Sequence, residues 1–136
     1  MGIIRQHIRL ANVARDDLEE IDALALVDTG AMDLCVPRHV VYQLRLRIIK
    51  QREVIYADGR REILDYVGPI RVEAFGRNAF TEAMVTGDSV LLGAIPMQAM
   101  DVLIDPRRER VIPNPENPNI PGAIAMGFTL PVREED

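Results

Sequence analysis

The chain has no Trp, and aromatic residues make up only 4% of its 136 positions. Any core must therefore be assembled from Val, Ile, Leu, Met and Ala. Cysteine is nearly absent: Cys35 stands alone, with no Cys-x-x-Cys spacing. That excludes an internal disulfide and the usual zinc ligand sets, so no metal and no cofactor are expected. It also suits a reducing compartment, and a cytoplasmic protein is the expectation. No run approaches the roughly 20 apolar residues of a membrane span. Residues 1–15 carry charges throughout and no apolar stretch of signal length. A membrane partner is not expected. There is no basic stripe either. Net charge is -5, the pI is near 5.1, and aromatics for base stacking are scarce, which together argue against a nucleic-acid partner. The Arg45 and Arg47 pair and Arg107-Arg108 read as solvated turns and strand edges. Internal repeats and low-complexity tracts are also missing.

What is present is a hydrophobic fraction of 48% beside 27% charged residues, normal for one soluble domain. The pattern is mostly β. Residues 3–13 alternate as a strand, and 22–27 form a short apolar run of buried-strand length that stops at Asp28. Leu34-Cys35-Val36 is a further strand. Pro37 suits a helix start, with Val40, Val41 and Leu44 on one buried face. Residues 48–57 and 63–67 are strands around Asp58-Gly59, a two-residue hairpin signal. Residues 69–75 and 79–86 read as a second hairpin around Gly76-Arg77-Asn78. Val90 to Leu92 is a buried strand stopped by Gly93. Residues 95–100 suit one or two helical turns, and 102–104 with 110–112 a last strand pair. Three prolines between Asn114 and Gly122 rule out a central strand or a helix there. The domain is thus expected over 1–113, with an extended Pro/Asn-rich tail over 114–136 and disorder over its last four residues.

The chemistry concentrates where the apolar strand ends in Asp28-Thr29-Gly30. A strand holds a loop rigidly, as a catalytic constellation needs. Asp28 supplies general acid or base chemistry, Thr29 can tie the loop down through its hydroxyl, and Gly30 permits a tight turn. An ordinary strand-to-turn junction has the same composition. Cys35 with His7 or His39 could be imagined as a thiol protease pair. Nothing orders them, and a buried structural cysteine fits its apolar strand better.

Five motifs in order carry a resemblance. They are Leu26-Val27-Asp28-Thr29-Gly30-Ala31, Ala57-Asp58-Gly59-Arg60, Gly68-Pro69-Ile70-Arg71-Val72, Leu91-Leu92-Gly93-Ala94-Ile95-Pro96 and Ile104-Asp105-Pro106. Over about residues 8–113 the chain resembles the retropepsin-like aspartic proteases (clan AA), and more narrowly their small stand-alone bacterial members. The resemblance implies the acid protease fold: a closed β-barrel of six to eight strands with one or two short helices, one lobe per chain. It makes Asp28, Thr29 and Gly30 catalytic. Residues 54–67 become a flap with its tip near Asp58-Gly59. Substrate contacts are implied at Ala31, Met32 and Asp33, at Ala57, Asp58 and Gly59 of the flap, and at Leu91 and Leu92. Apolar pockets are expected from Leu26, Met32, Val54, Ile55, Val90 and Leu91, and with them a preference for apolar residues beside the cleaved bond.

Such chemistry needs two carboxylates. The chain holds no second Asp-Thr-Gly or Asp-Ser-Gly. The expected partner is Asp28 of a second copy across a two-fold axis. A homodimeric aspartic endopeptidase acting on a peptide or protein substrate follows, without a covalent intermediate. Viral retropepsins usually place an acidic residue and an Arg where this chain has Met32 and Ala94. Both are missing together, so no charge is stranded. Asp33 either takes part of the substrate-facing role or is a plain solvated carboxylate. Two other readings compete. One is a retropepsin-fold module that binds a peptide or protein with little or no cleavage. The other is a generic monomeric barrel with an accidental Asp-Thr-Gly.

Overall fold

The computed structural model describes residues 2–123. Its elements in chain order are β1 (Ile4–Asn12), β2 (Ile21–Val27), β3 (Leu34–Val36), α1 (Arg38–Gln43), β4 (Arg47–Ile55), β5 (Arg61–Ala74), β6 (Arg77–Val85), β7 (Leu91–Leu92), α2 (Ala94–Met100), β8 (Val102–Asp105) and β9 (Arg110–Pro113). Strands run in the order β1-β2-β7-β3-β6-β5-β4, and β1 also pairs with β5. That extra pairing closes six strands into a barrel and leaves β4 outside the ring, bonded to β5 alone. The ring is mixed: β2 with β7 and β3 with β6 are parallel, and the other pairs are antiparallel. The mostly-β closed barrel with two short helices is the architecture expected above. β8 and β9 make a separate two-stranded sheet.

Aliphatic side chains fill the barrel, as the lack of Trp required. Leu10, Leu34, Leu44, Ile70, Leu92 and Met100 are fully buried. In β1 the inward set Ile4, Ile8, Leu10 alternates with exposed Arg5, His7 and Arg9. This is the period of two expected of a strand covered on one face. α1 begins after Pro37 and buries Val40 and Val41, with Leu44 closing its end.

Three boundaries differ from the sequence reading. Residues 63–67 and 69–75 belong to one strand, β5. Pro69 does not break it, because the β5–β6 register shifts between Val67 and Ile70, and such an irregularity tolerates a missing N–H. The second hairpin turns at Phe75-Gly76, both with positive φ, so Arg77 and Asn78 already lie in β6. Its two-residue turn matches the twist of the flanking strands. The first hairpin has a three-residue loop, Ala57 to Gly59. It is closed by Tyr56 N–H donating to the Arg60 carbonyl at 2.8 Å, with Gly59 at φ 89°.

The tail is also different. Residues 114–122 run through turns and bends rather than extended chain. They fold back on the end of α2, where Asp101 gathers three donors: Asn114 Nδ2 at 3.0 Å, Asn117 Nδ2 at 2.8 Å and the Gly122 N–H at 2.7 Å. Arg77, one of two buried polar residues among the described residues, donates to the Asp101 carbonyl at 2.9 Å and to the Asn117 carbonyl. The rest of the tail, including the last four residues, lies outside the described residues. Among the described residues no helix is long and apolar enough to cross a membrane.

Candidate active site

Asp28 is positioned by the parallel pair β2–β7. Val27 pairs with Leu92, and the Asp28 N–H donates to the Leu92 carbonyl at 3.1 Å. The strand therefore stays bonded up to the carboxylate itself. The loop then turns sharply. The Gly30 N–H donates to Asp28 Oδ1 at 2.9 Å, and the Ala31 N–H to the Asp28 carbonyl at 3.2 Å. The first fixes the direction of the carboxylate and the second the turn of the loop. Asp28, Thr29 and Gly30 are all exposed in the single chain.

The same loop is clamped from below by the start of α2. A helix leaves its first N–H groups without partners inside the helix. Here the Ala94 N–H donates to the Ala31 carbonyl at 2.8 Å and the Ile95 N–H to the Met32 carbonyl at 2.9 Å. Gly93 makes the approach possible. A Cβ at that position would lie 2.3 Å from the Asp33 carbonyl oxygen and 2.8 Å from that of Ala31, both backbone atoms. From sequence, Gly93 stops a strand and belongs to one of the motifs that carry the resemblance. Its direct contact with the Asp28 loop is a tertiary fact that no local pattern announces.

Asp33 is half-buried and accepts a hydrogen bond from the Tyr66 hydroxyl at 2.9 Å. Tyr66 lies on β5, the strand that continues into the β4–β5 hairpin (the expected flap), and is itself buried. Burial, and then the Asp33 carboxylate, push the Tyr66 phenol up to about 12. Asp33 thus ties the Asp28 loop to the base of the flap, a third role beside the two considered for it. Thirty-three residues separate the pair, which is why sequence patterning missed Tyr66.

The remaining site residues sort by position. Met32 is 62% exposed beside the loop, and Leu26 and Leu91 are half-buried at its strand ends. Ala57, Asp58 and Gly59 form the exposed flap tip, where Asp58 Oδ2 meets Arg60 Nε at 3.0 Å and Arg60 lies over the Tyr56 ring. Leu92 was expected to touch substrate, but it is fully buried and packs in the core. Val90 belongs to that core as well, and neither can line a pocket. Val54 shares a flap face with Leu64 and Tyr66, the face that reaches Asp33. Ile55 pairs with Arg61 on the opposite face and points away from it. The Thr29 hydroxyl makes no hydrogen bond among the described residues, so it does not tie down its own loop as expected.

Cys35 is half-buried in β3. Burial, followed by the charges of Asp33 and Asp28, pushes its thiol up to about 11. A thiolate nucleophile is disfavoured there. His7 and His39 are both exposed on other elements, β1 and α1. Among the described residues no cluster of three His, Cys, Asp or Glu is placed to hold a metal.

No family model and no curated protein matches the chain. Solved structures do. The chain is similar to EIAV protease complexed with the inhibitor HBY-793, at 16% identity and a TM-score of 0.53, over 71% of this chain and 86% of that one. It is also similar to the solution structure of simian foamy virus (mac) protease, at 20% identity and a TM-score of 0.46, over 68% of this chain and 91% of that one. The first of these establishes the fold. This is a chain with the fold of a retroviral protease.

Proposed function

We propose that the chain is an aspartic endopeptidase of the small stand-alone retropepsin-like kind, active as a homodimer. The observation that carries this is the setting of Asp28. It is an exposed carboxylate at the end of a parallel strand pair, aimed by Gly30, on a loop clamped by the amides of Ala94 and Ile95. A loop so rigidly held is what a catalytic carboxylate needs. In a two-fold pair, one Asp28 removes a proton from water as it adds to the peptide carbonyl. The other, protonated, donates to the carbonyl oxygen. Collapse of the tetrahedral species passes a proton to the leaving nitrogen and breaks the C–N bond. Two carboxylates this close share one proton, so their titration belongs to the pair.

The flap closes over an extended substrate. Met32, Val54, Leu26 and Leu91 offer apolar walls, and we propose apolar residues beside the cleaved bond. A positional peptide library that prefers charged residues there would sink that specificity. The cytoplasm is the setting we propose, on the single half-buried cysteine, and cell fractionation tests it. The central experiment is cleavage of a mixed peptide library from about pH 4 to about pH 8, comparing the native chain with Asp28→Asn. Cleavage by the native chain alone, blocked by pepstatin-type inhibitors, is the expected result. Cleavage that survives Asp28→Asn would overturn it, and a folded dimer that cleaves nothing would favour a binding module.

A further inference from the structure

The two faces of the β4–β5 hairpin carry different chemistry. The register pairs Glu53 with Ile63 on one face, and Lys50 with Tyr66, Arg52 with Leu64 and Val54 with Glu62 on the other. Cross-strand partners lie on the same side of a sheet. The second face is the one that reaches the Asp28 loop, since the Tyr66 hydroxyl donates to Asp33 at 2.9 Å. Its exposed carboxylate is Glu62. Two other carboxylates of the hairpin are neutralised in place, Glu53 by Arg61 and Asp58 by Arg60, each at 3.0 Å. Glu62 has no ion pair among the described residues. Its partner is neutral: the half-buried Tyr56 donates its hydroxyl to Glu62 Oε1 at 2.6 Å. That bond holds the group through one oxygen and leaves Oε2 to accept from elsewhere. The cations of this face stand further from the hairpin tip. Lys50 is paired with Glu82 at 2.6 Å, and Arg52 lies over the Tyr66 ring, 5.4 Å from its centroid.

We propose, resting on the protease and flap reading above, that Glu62 is a specificity-determining residue. It receives the ammonium or guanidinium of a lysine or arginine in the bound peptide. A carboxylate held by a neutral hydroxyl keeps its charge for the ligand, and a charge-assisted hydrogen bond is the stronger kind. Position sets where that residue falls. Cross-strand Cβ atoms lie about 5 Å apart, so Glu62 stands beside Val54, an apolar wall of the site. Side chains of an extended peptide that point to one side recur every two residues, about 6.6 Å. The basic residue therefore falls two positions outward from an apolar residue beside the cleaved bond, and the bond itself stays flanked by apolar groups. Asp28 and Asp33 on the facing loop are carboxylates too, so the field of the site favours a cationic peptide over an anionic one.

The test reads binding apart from cleavage. Two fluorescent peptides with an apolar pair at the centre, identical but for lysine or norleucine at the outward position, are titrated by anisotropy against full-length Asp28→Asn. Lysine should tighten binding about tenfold. Adding Glu62→Gln should erase that difference, and Glu62→Lys should turn the preference towards a glutamate peptide. Glu53→Gln removes the same charge from the opposite face and should keep the lysine preference. Equal binding of the two peptides, or none, would overturn the proposal. So would a lysine preference that survives Glu62→Gln or is lost equally in Glu53→Gln. Cleavage by the native chain separates this from the enzyme. Selective binding that depends on Glu62 without any cleavage keeps Glu62 and loses the protease, and cleavage indifferent to lysine does the reverse.

Discussion

Gly93 shows how little space the Asp28 loop is given. A methyl group there would sit 2.3 Å from the Asp33 carbonyl oxygen, and neither the loop nor α2 can yield without losing the Ala31–Ala94 and Met32–Ile95 hydrogen bonds. Gly93→Ala is expected to cost about 1–3 kcal/mol of stability. It should also abolish cleavage beyond what that loss explains, read by chemical denaturation beside activity at a temperature where the variant is folded. A variant of native stability and activity would mean the clamp is not tight. Cys35 sits just beyond the loop, and its raised thiol pKa predicts little else than slow reaction with alkylating reagents at neutral pH.

At the scale of elements, the flap and the Asp28 loop are joined by one hydrogen bond. Tyr66 on β5 holds Asp33, and Lys50 and Arg52 of β4 lie over the Tyr66 ring. Tyr66→Phe keeps the ring and the cation contacts but removes the donor. It should cost about 1 kcal/mol and raise hydrogen exchange along β4 and the flap tip more than in β1 and β2. Uniform exchange would mean that the bond does not restrain the flap.

The second joint is the clasp at the end of α2. The Asn114 amide, the Gly122 N–H and the Asn117 amide, with Arg77 behind them, hold the Asp101 carboxyl below the usual carboxylate range. A depressed pKa in the folded state stabilises above the unfolded value and loses that effect as pH falls through the folded one. The native protein should therefore lose stability as the pH falls through and below the usual carboxylate range, partly through this group. Asp101→Asn should have a lower Tm at neutral pH and a shallower acid dependence. Parallel curves, simply displaced, would remove Asp101 from the cause.

For the whole molecule, a shared site predicts a non-linear response to mixing. Native chain and Asp28→Asn in equal amounts should assort at random if the substitution leaves the contact intact. About a quarter of the pairs would then carry two native carboxylates. Activity should fall to about one quarter of that of the native chain at the same total concentration. A fall to only about one half would mean that each chain acts alone.

The barrel was legible in the sequence because its evidence is local. β1 alternates, β2 is a short apolar run, and the strands on either side of Asp58-Gly59 are bounded by turn residues, so most elements followed from periodicity. Asp28-Thr29-Gly30 was legible because an acid, a hydroxyl and a glycine at a strand end form a compact pattern. The reading failed where a local signal was overruled from afar. Pro69 reads as a break, yet β5 runs through it because β6 shifts register alongside. Leu92 and Val90 read as substrate walls, yet the closing of the ring turns them into the core. By itself the sequence determined which segments are strands and that each chain carries one such aspartate. Only the tertiary structure decided what holds that aspartate. Gly93, Tyr66 and the amides of α2 lie far along the chain from Asp28, and contacts at that separation exist only once the barrel has closed.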